Sequence, residues 1–222
     1  MRKTSEQFVA LFLSSVALST YADVEREFSV DDFDSVTVSQ GIHLNLVMGS
    51  ASSVTAVADD DSDLDSLEIE VDDGELEIRR GSWVSSLFSI AKPHGNVTVN
   101  VVVSELQAVE ASSGASADLI DIACTDLQVD ASSGSRIEVS GSCDTIAIDA
   151  SSGANVDSRD LLTTDAAVDA SSGASIRVFA RDSFSGDASS GSSISVYGNP
   201  EVAESETSSG ASIDLRRHAQ TI

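Results

Sequence analysis

The residues with the clearest chemical potential are six carboxylates at one position of a repeated motif. Each lies four residues before the glycine of a Ser-Ser-Gly triplet or its equivalent: Glu110, Asp130, Asp149, Asp169, Asp187 and Glu206. If the repeats stack, these side chains form an outward row, the acidic ladder, with neighbours about 5 Å apart. Carboxylate oxygens suit hard cations such as Ca²⁺. One interpretation of the ladder is therefore a weak calcium site, although the alternating acidic loop of a dedicated calcium motif is missing.

A structural interpretation of the same residues competes with cation binding, and the sequence favours it. Asp and Ser side chains readily bond to nearby backbone N–H groups, which would help to turn the chain at each Ser-Ser-Gly corner. Glycine would supply the backbone angles that other residues avoid. A third interpretation is a hydroxyl array facing ice or polysaccharide, formed by the first serine of each triplet: Ser112, Ser132, Ser151, Ser171, Ser189 and Ser208.

Two cysteines lie at equivalent places in adjacent repeats. Cys124 comes ten residues after Gly114, and Cys143 comes nine residues after Gly134. Stacked repeats would bring the two thiols to a separation that suits a disulfide. Two thiols without a nearby pair of histidines make a poor metal site. The spacing therefore predicts a disulfide that closes a loop of about 20 residues and stabilises the fold by about 3 kcal/mol.

Residues typical of catalysis are sparse. The sequence has no Gly-x-Ser-x-Gly, His-Glu-x-x-His or phosphate-binding loop, and its histidines are scattered: His43, His94 and His218. Stacking could bring Arg136 and Arg177 near Asp157, on the repeat between them, as in polysaccharide-active β-helix enzymes. Mixed charges on a sheet surface more often offset repulsion. We expect a protein that is not an enzyme, with a carbohydrate-active enzyme as the alternative.

The elements that must position these residues follow from the period of the repeat. The triplet glycines are separated by 20, 19, 20, 18 and 19 residues: Gly114, Gly134, Gly153, Gly173, Gly191 and Gly210. Apolar, often β-branched residues alternate with polar ones on both sides of each glycine, which is typical of short strands. A period of this length without a helical pattern predicts an all-β parallel β-helix, a single-chain solenoid with one coil per repeat. A sandwich or antiparallel barrel is the alternative.

The chain divides into an export signal and one domain. Residues 1–22 join Arg2 and Lys3 to a short apolar run that ends in small residues, which is typical of a secretory signal peptide. Residues 23–222 are predicted to form a single β-helix domain. Residues 23–103 would be degenerate N-terminal coils, interrupted by an insertion at 81–95 that caps or flanks the solenoid. Regular repeats would occupy 104–215, followed by a tail at 216–222.

The net charge of −25 limits the partners that the protein can have. A surface this acidic repels nucleic acid and anionic lipid. The apolar run of the signal is too short to span a membrane comfortably, so we expect no membrane span in the mature chain. The protein is expected to be exported to the periplasm, the cell surface or the extracellular space.

The order of three units resembles a known family. These units are "FDSVTVSQGIHLNLVMG", "DGELEIRR" and "VTVNVVVSELQAVEASSGAS", the last leading into the Ser-Gly repeats. They are similar to the "putative auto-transporter adhesin, head GIN domain" family over roughly residues 28–215. Gly41-Ile42-His43 stands where the family name suggests Gly-Ile-Asn. The resemblance implies a right-handed parallel β-helix at the bacterial surface or in the periplasm, and it implies no catalytic residues.

These observations together predict a secreted, adhesin-like module of the cell envelope that is not an enzyme. Glycan or envelope protein is the expected partner, and no cofactor is expected beyond weakly bound Ca²⁺. A passive structural spacer is a further alternative.

Overall fold

Alternating apolar and polar residues form strands through most of residues 23–81 and 95–216, which are the residues that the computed structural model describes. One short helix, α1, covers Asp61–Leu64. The strands are β1 Val24–Phe28, β2 Ser35–Val38, β3 His43–Met48, β4 Ser53–Ala58, β5 Leu67–Asp72, β6 Glu75–Arg80, β7 Val97–Val103, β8 Ala108–Ala111, β9 Ser116–Ala131, β10 Arg136–Ala150, β11 Asn155–Ala170, β12 Ser175–Phe179, β13 Ser183–Ala188, β14 Ser193–Tyr197, β15 Val202–Thr207 and β16 Ser212–Leu215.

Two parallel stacks of strands confirm the predicted solenoid, which has about 5 turns. One stack runs β3-β9-β10-β11-β12-β14-β16, and the other runs β2-β8-β9-β10-β11-β13-β15. Strands β9, β10 and β11 belong to both stacks, because each continues around the coil from one stack to the other. The register repeats as the sequence predicts, with Val129 beside Ile148 and Ile148 beside Val168. These inward side chains are buried in one continuous core.

Backbone hydrogen bonds close the corners, and a serine side chain adds the expected contact with the corner backbone at one of them, where Ser192 Oγ accepts from the Ser189 N–H. At the first regular corner, Ser113 and Gly114 have φ values of 52° and 73°. The Ala115 N–H donates to the Ser112 carbonyl at 3.0 Å, which closes a tight turn. The Gly114 N–H donates to the Ser133 carbonyl of the next coil at 3.1 Å. The second serine therefore shares the left-handed conformation that the sequence suggested for glycine alone.

The N-terminal part is only partly built of coils. β2 and β3 form a coil that lies between β8 and β9 on one side and β6 and β7 on the other. β4 pairs antiparallel with β1 and β7, and β5 pairs antiparallel with β6. A two-residue turn at Asp73 and Gly74, with φ values of 48° and 86°, reverses the chain between β5 and β6. The region predicted to be degenerate coils therefore also contains antiparallel pairs, one of which, β5 with β6, is a hairpin.

A buried ion pair anchors one end of the predicted insertion. The Gly95 N–H donates to Asp63 Oδ1 at 3.0 Å, and Arg80 Nη2 donates to the Gly95 carbonyl at 2.9 Å. The carboxylate and the guanidinium lie 3.9 Å apart, with side chains 12% and 8% exposed. Residues 82–94 of the insertion predicted at 81–95, the predicted signal peptide at 1–22 and residues 217–222 of the tail lie outside the described residues.

In the last described coil, the inward positions carry different types of residue. Ala203, Ser205 and Thr207 are exposed there, whereas Ala166, Val168 and Ala170 are buried at the matching positions of β11. Small and polar side chains thus replace apolar ones where no further described coil follows, as terminal repeats of solenoids require. In residues 23–81 and 95–216, no helix has the length and apolar character needed to cross a membrane.

Candidate interaction surface

The acidic ladder lies in register on the stack that precedes each corner. Its side chains follow one another on adjacent coils as Glu110, Asp130, Asp149, Asp169, Asp187 and Glu206. Partial burial raises the pKa of Asp149, and the neighbouring carboxylates of Asp130 and Asp169 raise it further. Burial likewise raises the pKa of Glu110, with added repulsion from Asp130 and Glu75. Ionisation of Asp149 and Glu110 is therefore disfavoured first by burial and then by the carboxylates beside them.

Cation binding by the ladder stays a prediction. Across residues 23–81 and 95–216, no group of three or more His, Cys, Asp or Glu side chains is arranged to hold a metal ion. The structural role suggested for the ladder is also absent from these residues, since no ladder carboxylate accepts a hydrogen bond from a corner N–H. Gln128 Nε2 does donate to Asp130 Oδ2 at 2.9 Å, which offsets part of the charge at that rung.

In a second column on the same stack, the carboxylates have hydrogen-bond partners on adjacent coils. It alternates carboxylates with hydroxyls in the order Asp126, Thr145, Asp165 and Ser183. Thr145 Oγ1 donates to Asp126 Oδ1 at 2.6 Å, and the Ser183 hydroxyl donates to Asp165. Each carboxylate thus has a hydroxyl partner on an adjacent coil. From β8 to β15 the ladder has a carboxylate on every coil and lacks this alternation.

The predicted disulfide is confirmed, and it forms part of a groove. Cys124 and Cys143 are bonded, with their Cα atoms 4.6 Å apart on adjacent coils. Beside them runs an open cavity of about 1070 Å³, the long groove, on the side of the coil away from the corners. One wall is the segment 104–107, which carries the chain from β7 across the first coil to β8. The other wall is residues 123–128 of β9.

Hydroxyl, amide and carboxylate groups line much of the long groove. Ser104, Glu105, Gln107, Thr125, Asp126 and Gln128 contribute them, beside apolar atoms of Met48, Leu106 and Leu127. Gln107 Nε2 donates to Asp34 Oδ2 at 2.7 Å, which fixes the first wall against the loop before β2. The groove therefore offers several hydrogen-bonding groups on a rigid frame, as sites for polar ligands require.

The charged side chains that suggested an enzyme, Arg136, Asp157 and Arg177, each form an ion pair. Asp157 Oδ1 lies 2.8 Å from Arg159 Nε, and its Oδ2 lies 3.5 Å from Arg177 Nη1. Arg136 instead contacts Glu138, and its Nη1 lies 3.4 Å from Asn155 Oδ1. The structure thus brings Arg177 to Asp157 but leaves Arg136 with other partners. Such pairing offsets repulsion on the surface of the sheet.

One cluster was missed by sequence reasoning. His43 Nδ1 lies 2.7 Å from Ser116 Oγ, and its Nε2 lies 3.6 Å from Asp118 Oδ2. The three residue types occur in catalytic triads, but here the serine meets Nδ1, and the carboxylate lies beyond hydrogen-bonding distance. The cluster lies on an exposed strand surface, where it joins β3 to β9. Aligning "GIHLNL" with "GASADL" would have revealed it. His94 and His218 lie outside the described residues.

Comparison with known proteins gives the fold a context. A "putative adhesin" from Bacteroides fragilis NCTC 9343 superposes with a TM-score of 0.67 at 12% identity, covering 88% of this chain and 97% of that one. A "putative adhesin" and a "putative lipid binding protein" from Parabacteroides distasonis ATCC 8503 give TM-scores of 0.53 and 0.52 at 17% and 16% identity. The first covers 87% of this chain and 97% of that one, and the second covers 86% and 96%. At such identities the likeness shows the fold alone.

Sequence comparison identifies the family. No curated protein matches the chain closely enough to count as a relative. Residues 32–200 match the family model for the head domain whose units the sequence already resembled. Because that match covers most of the chain, the protein belongs to the "putative auto-transporter adhesin, head GIN domain" family.

Proposed function

We propose that this protein is an exported, adhesin-like interaction module that binds a glycan or an envelope protein and is not an enzyme. Membership of the adhesin family supports an interaction role. The Cys124–Cys143 disulfide supports export, because disulfides persist in oxidising compartments. The periplasm and the cell surface both fit this chemistry.

The long groove is the main structural support for this proposal. Its walls come from different segments of the chain, and polar groups of successive coils, such as Asp126 and Thr145, lie in register along it. An extended ligand with hydrogen-bonding groups at regular intervals can contact several coils at once. A passive spacer would need the rigid frame but not this lining.

Binding of the full mature chain to arrays of glycans and envelope proteins tests the proposal. We expect saturable binding that soluble ligand competes away. The double variant Thr125→Ala, Gln128→Ala should weaken it, because both side chains line the long groove. Asp214→Asn, on the last strand and away from the groove, serves as a matched polar control. Absence of saturable binding to either class would refute the interaction role and favour the spacer.

Cell fractionation tests the proposed export. The producing bacterium should release the protein with periplasmic or surface fractions, and its N-terminus should be Asp23. Deleting residues 2–22 should retain the chain inside the cell. Recovery of the uncleaved chain from the cytoplasm would contradict this part of the proposal.

A further inference from the structure

A smaller cavity adjoins the long groove and differs from it in chemistry. This distal recess, of about 380 Å³, is lined by Asp144, Leu162, Thr164, Phe179, Arg181 and the Cys124–Cys143 disulfide, among others. Cys124 and Ser142 line both cavities, so the recess continues the long groove across two further coils. A ligand lying in the groove can therefore place one of its units in the recess.

The recess has an apolar wall. The Leu162 side chain projects into solvent and is 57% exposed, which is the largest exposure among the large hydrophobic residues described. Phe179 and the disulfide lie beside it. Beneath them, Thr163 follows Cys143 in register, and its hydroxyl donates to the Phe179 carbonyl, which fixes the backbone that carries the ring. The apolar wall is thus held in place from below.

The rim of the recess is polar and its charges are largely balanced. Arg181 Nε donates to Asp182 Oδ1 at 2.8 Å, and Arg181 Nη2 donates to Thr164 Oγ1 at 3.0 Å. The guanidinium charge is therefore compensated by its sequence neighbour. Asp144 adds a carboxylate to the lining, so this region carries a slight negative charge within a strongly acidic protein. Anionic ligands are disfavoured by this field.

We propose that the distal recess binds one unit of a neutral glycan. A neutral sugar has an apolar ring face, which can pack on Phe179 and Leu162, and hydroxyls that can donate to Asp144. The volume lies at the lower end of the range for ligand pockets, about 300–1,000 Å³, which suits a single unit of a longer chain. This inference rests on the proposed adhesin-like function and selects a neutral glycan from the partners considered there.

Titration of the full mature chain with neutral and uronic-acid oligosaccharides tests the inference. We expect saturable binding of neutral oligosaccharides that changes little between low and high salt. Phe179→Ala should weaken binding about tenfold through loss of the ring contact. Because Leu162 is exposed, Leu162→Ala leaves the core intact and should weaken binding several-fold. Tyr197→Ala, which removes the aromatic ring next to Phe179 on the following coil, is the matched control and should bind normally.

The outcomes separate this inference from the proposed function. If neutral glycans bind but Phe179→Ala and Leu162→Ala bind as well as the unmodified protein, the recess is the wrong site and the adhesin-like role stands. If only acidic glycans or only envelope proteins bind, the ligand class is wrong and the role again stands. If neither glycan nor protein binds, both proposals fail.

Discussion

Replacing one carboxylate in the middle of the acidic ladder should stabilise the protein. Asp149 lies between Asp130 and Asp169 in register, and its pKa is raised by partial burial and then by both neighbours. No hydrogen bond to the Asp149 side chain occurs among the described residues, so Asp149→Asn removes repulsion without breaking a contact of this kind. The expected sign is unusual, since most substitutions destabilise.

The magnitude follows from the spacing of the coils. Two unit charges about 5 Å apart repel by about 0.8 kcal/mol in water. At physiological salt, the Debye length of about 8 Å reduces this by roughly half. Two neighbours should therefore destabilise the fold by about 1 kcal/mol at physiological salt and by about 1.5 kcal/mol at low salt. Asp149→Asn should recover most of that free energy.

Denaturant unfolding at low, physiological and high salt measures the effect. Asp157→Asn is the matched control, because the same substitution there breaks contacts with Arg159 and Arg177 and should destabilise the protein. The Asp157 side chain is only 11% exposed, so each pair should contribute toward the upper end of the range for exposed pairs, about 0.2–1 kcal/mol. A loss of stability in Asp149→Asn, or a gain that persists unchanged in high salt, would refute the electrostatic reasoning.

The same position tests weak calcium binding by the ladder. If Ca²⁺ bridges adjacent carboxylates, millimolar calcium should raise the thermal midpoint beyond a control of equal ionic strength. The double variant Asp149→Asn, Asp169→Asn should remove that excess. An equal response in this variant would show that the ladder does not hold the ion.

Three further predictions concern pH, the disulfide and one glycine. Because the pKa values of Glu110 and Asp149 are raised in the fold, the folded chain binds protons more tightly than the unfolded chain. Stability should therefore rise as the pH falls from 7 toward their ordinary values of 4.5 and 3.8, and a thermal midpoint that falls between pH 7 and 5 would contradict this. Replacing Cys124 and Cys143 with serine should cost about 3 kcal/mol in denaturant unfolding, and an unchanged midpoint would refute the loop-closure argument. Gly141 has a φ of 127°, and an added Cβ would lie 2.1 Å from a backbone oxygen of the neighbouring coil. Gly141→Ala should cost more than about 2 kcal/mol, and near-normal stability would show that the coil can relax there.

The regular coils were predictable because their repeats are strong. Inward positions such as Val129 and Ile148, and the disulfide partners Cys124 and Cys143, all follow from one period of 19 or 20 residues. The positive φ of Ser113 was missed, because a serine beside glycine carries no signal that it shares the left-handed turn. The repeat predicted the left-handed conformation for Gly114 alone.

The β5–β6 hairpin carries a signal in the sequence, whereas the antiparallel pairs of β4 and the cavities do not. Asp73-Gly74 between two alternating strands is a strong signal for a two-residue hairpin turn, and the prediction of degenerate coils overlooked it. The long groove depends on where residues 104–107 cross the first coil, which is a property of the chain path. The distal recess brings Asp144, Leu162 and Phe179 together from successive coils, and their sequence separations give no local motif.

The position of the first coil between later segments determines how the protein can vary in length. Because β2 and β3 have neighbours on both sides, a residue added there disturbs two interfaces. Among the described residues, the strands of each coil beyond β8 pair only with those of the coil before it and the coil after it, as in other solenoids. Gain or loss of one whole repeat there would move the distal end by about 4.8 Å and leave the pairing of strands β1–β8 unchanged. The number of repeats after β8 therefore determines the length of the solenoid.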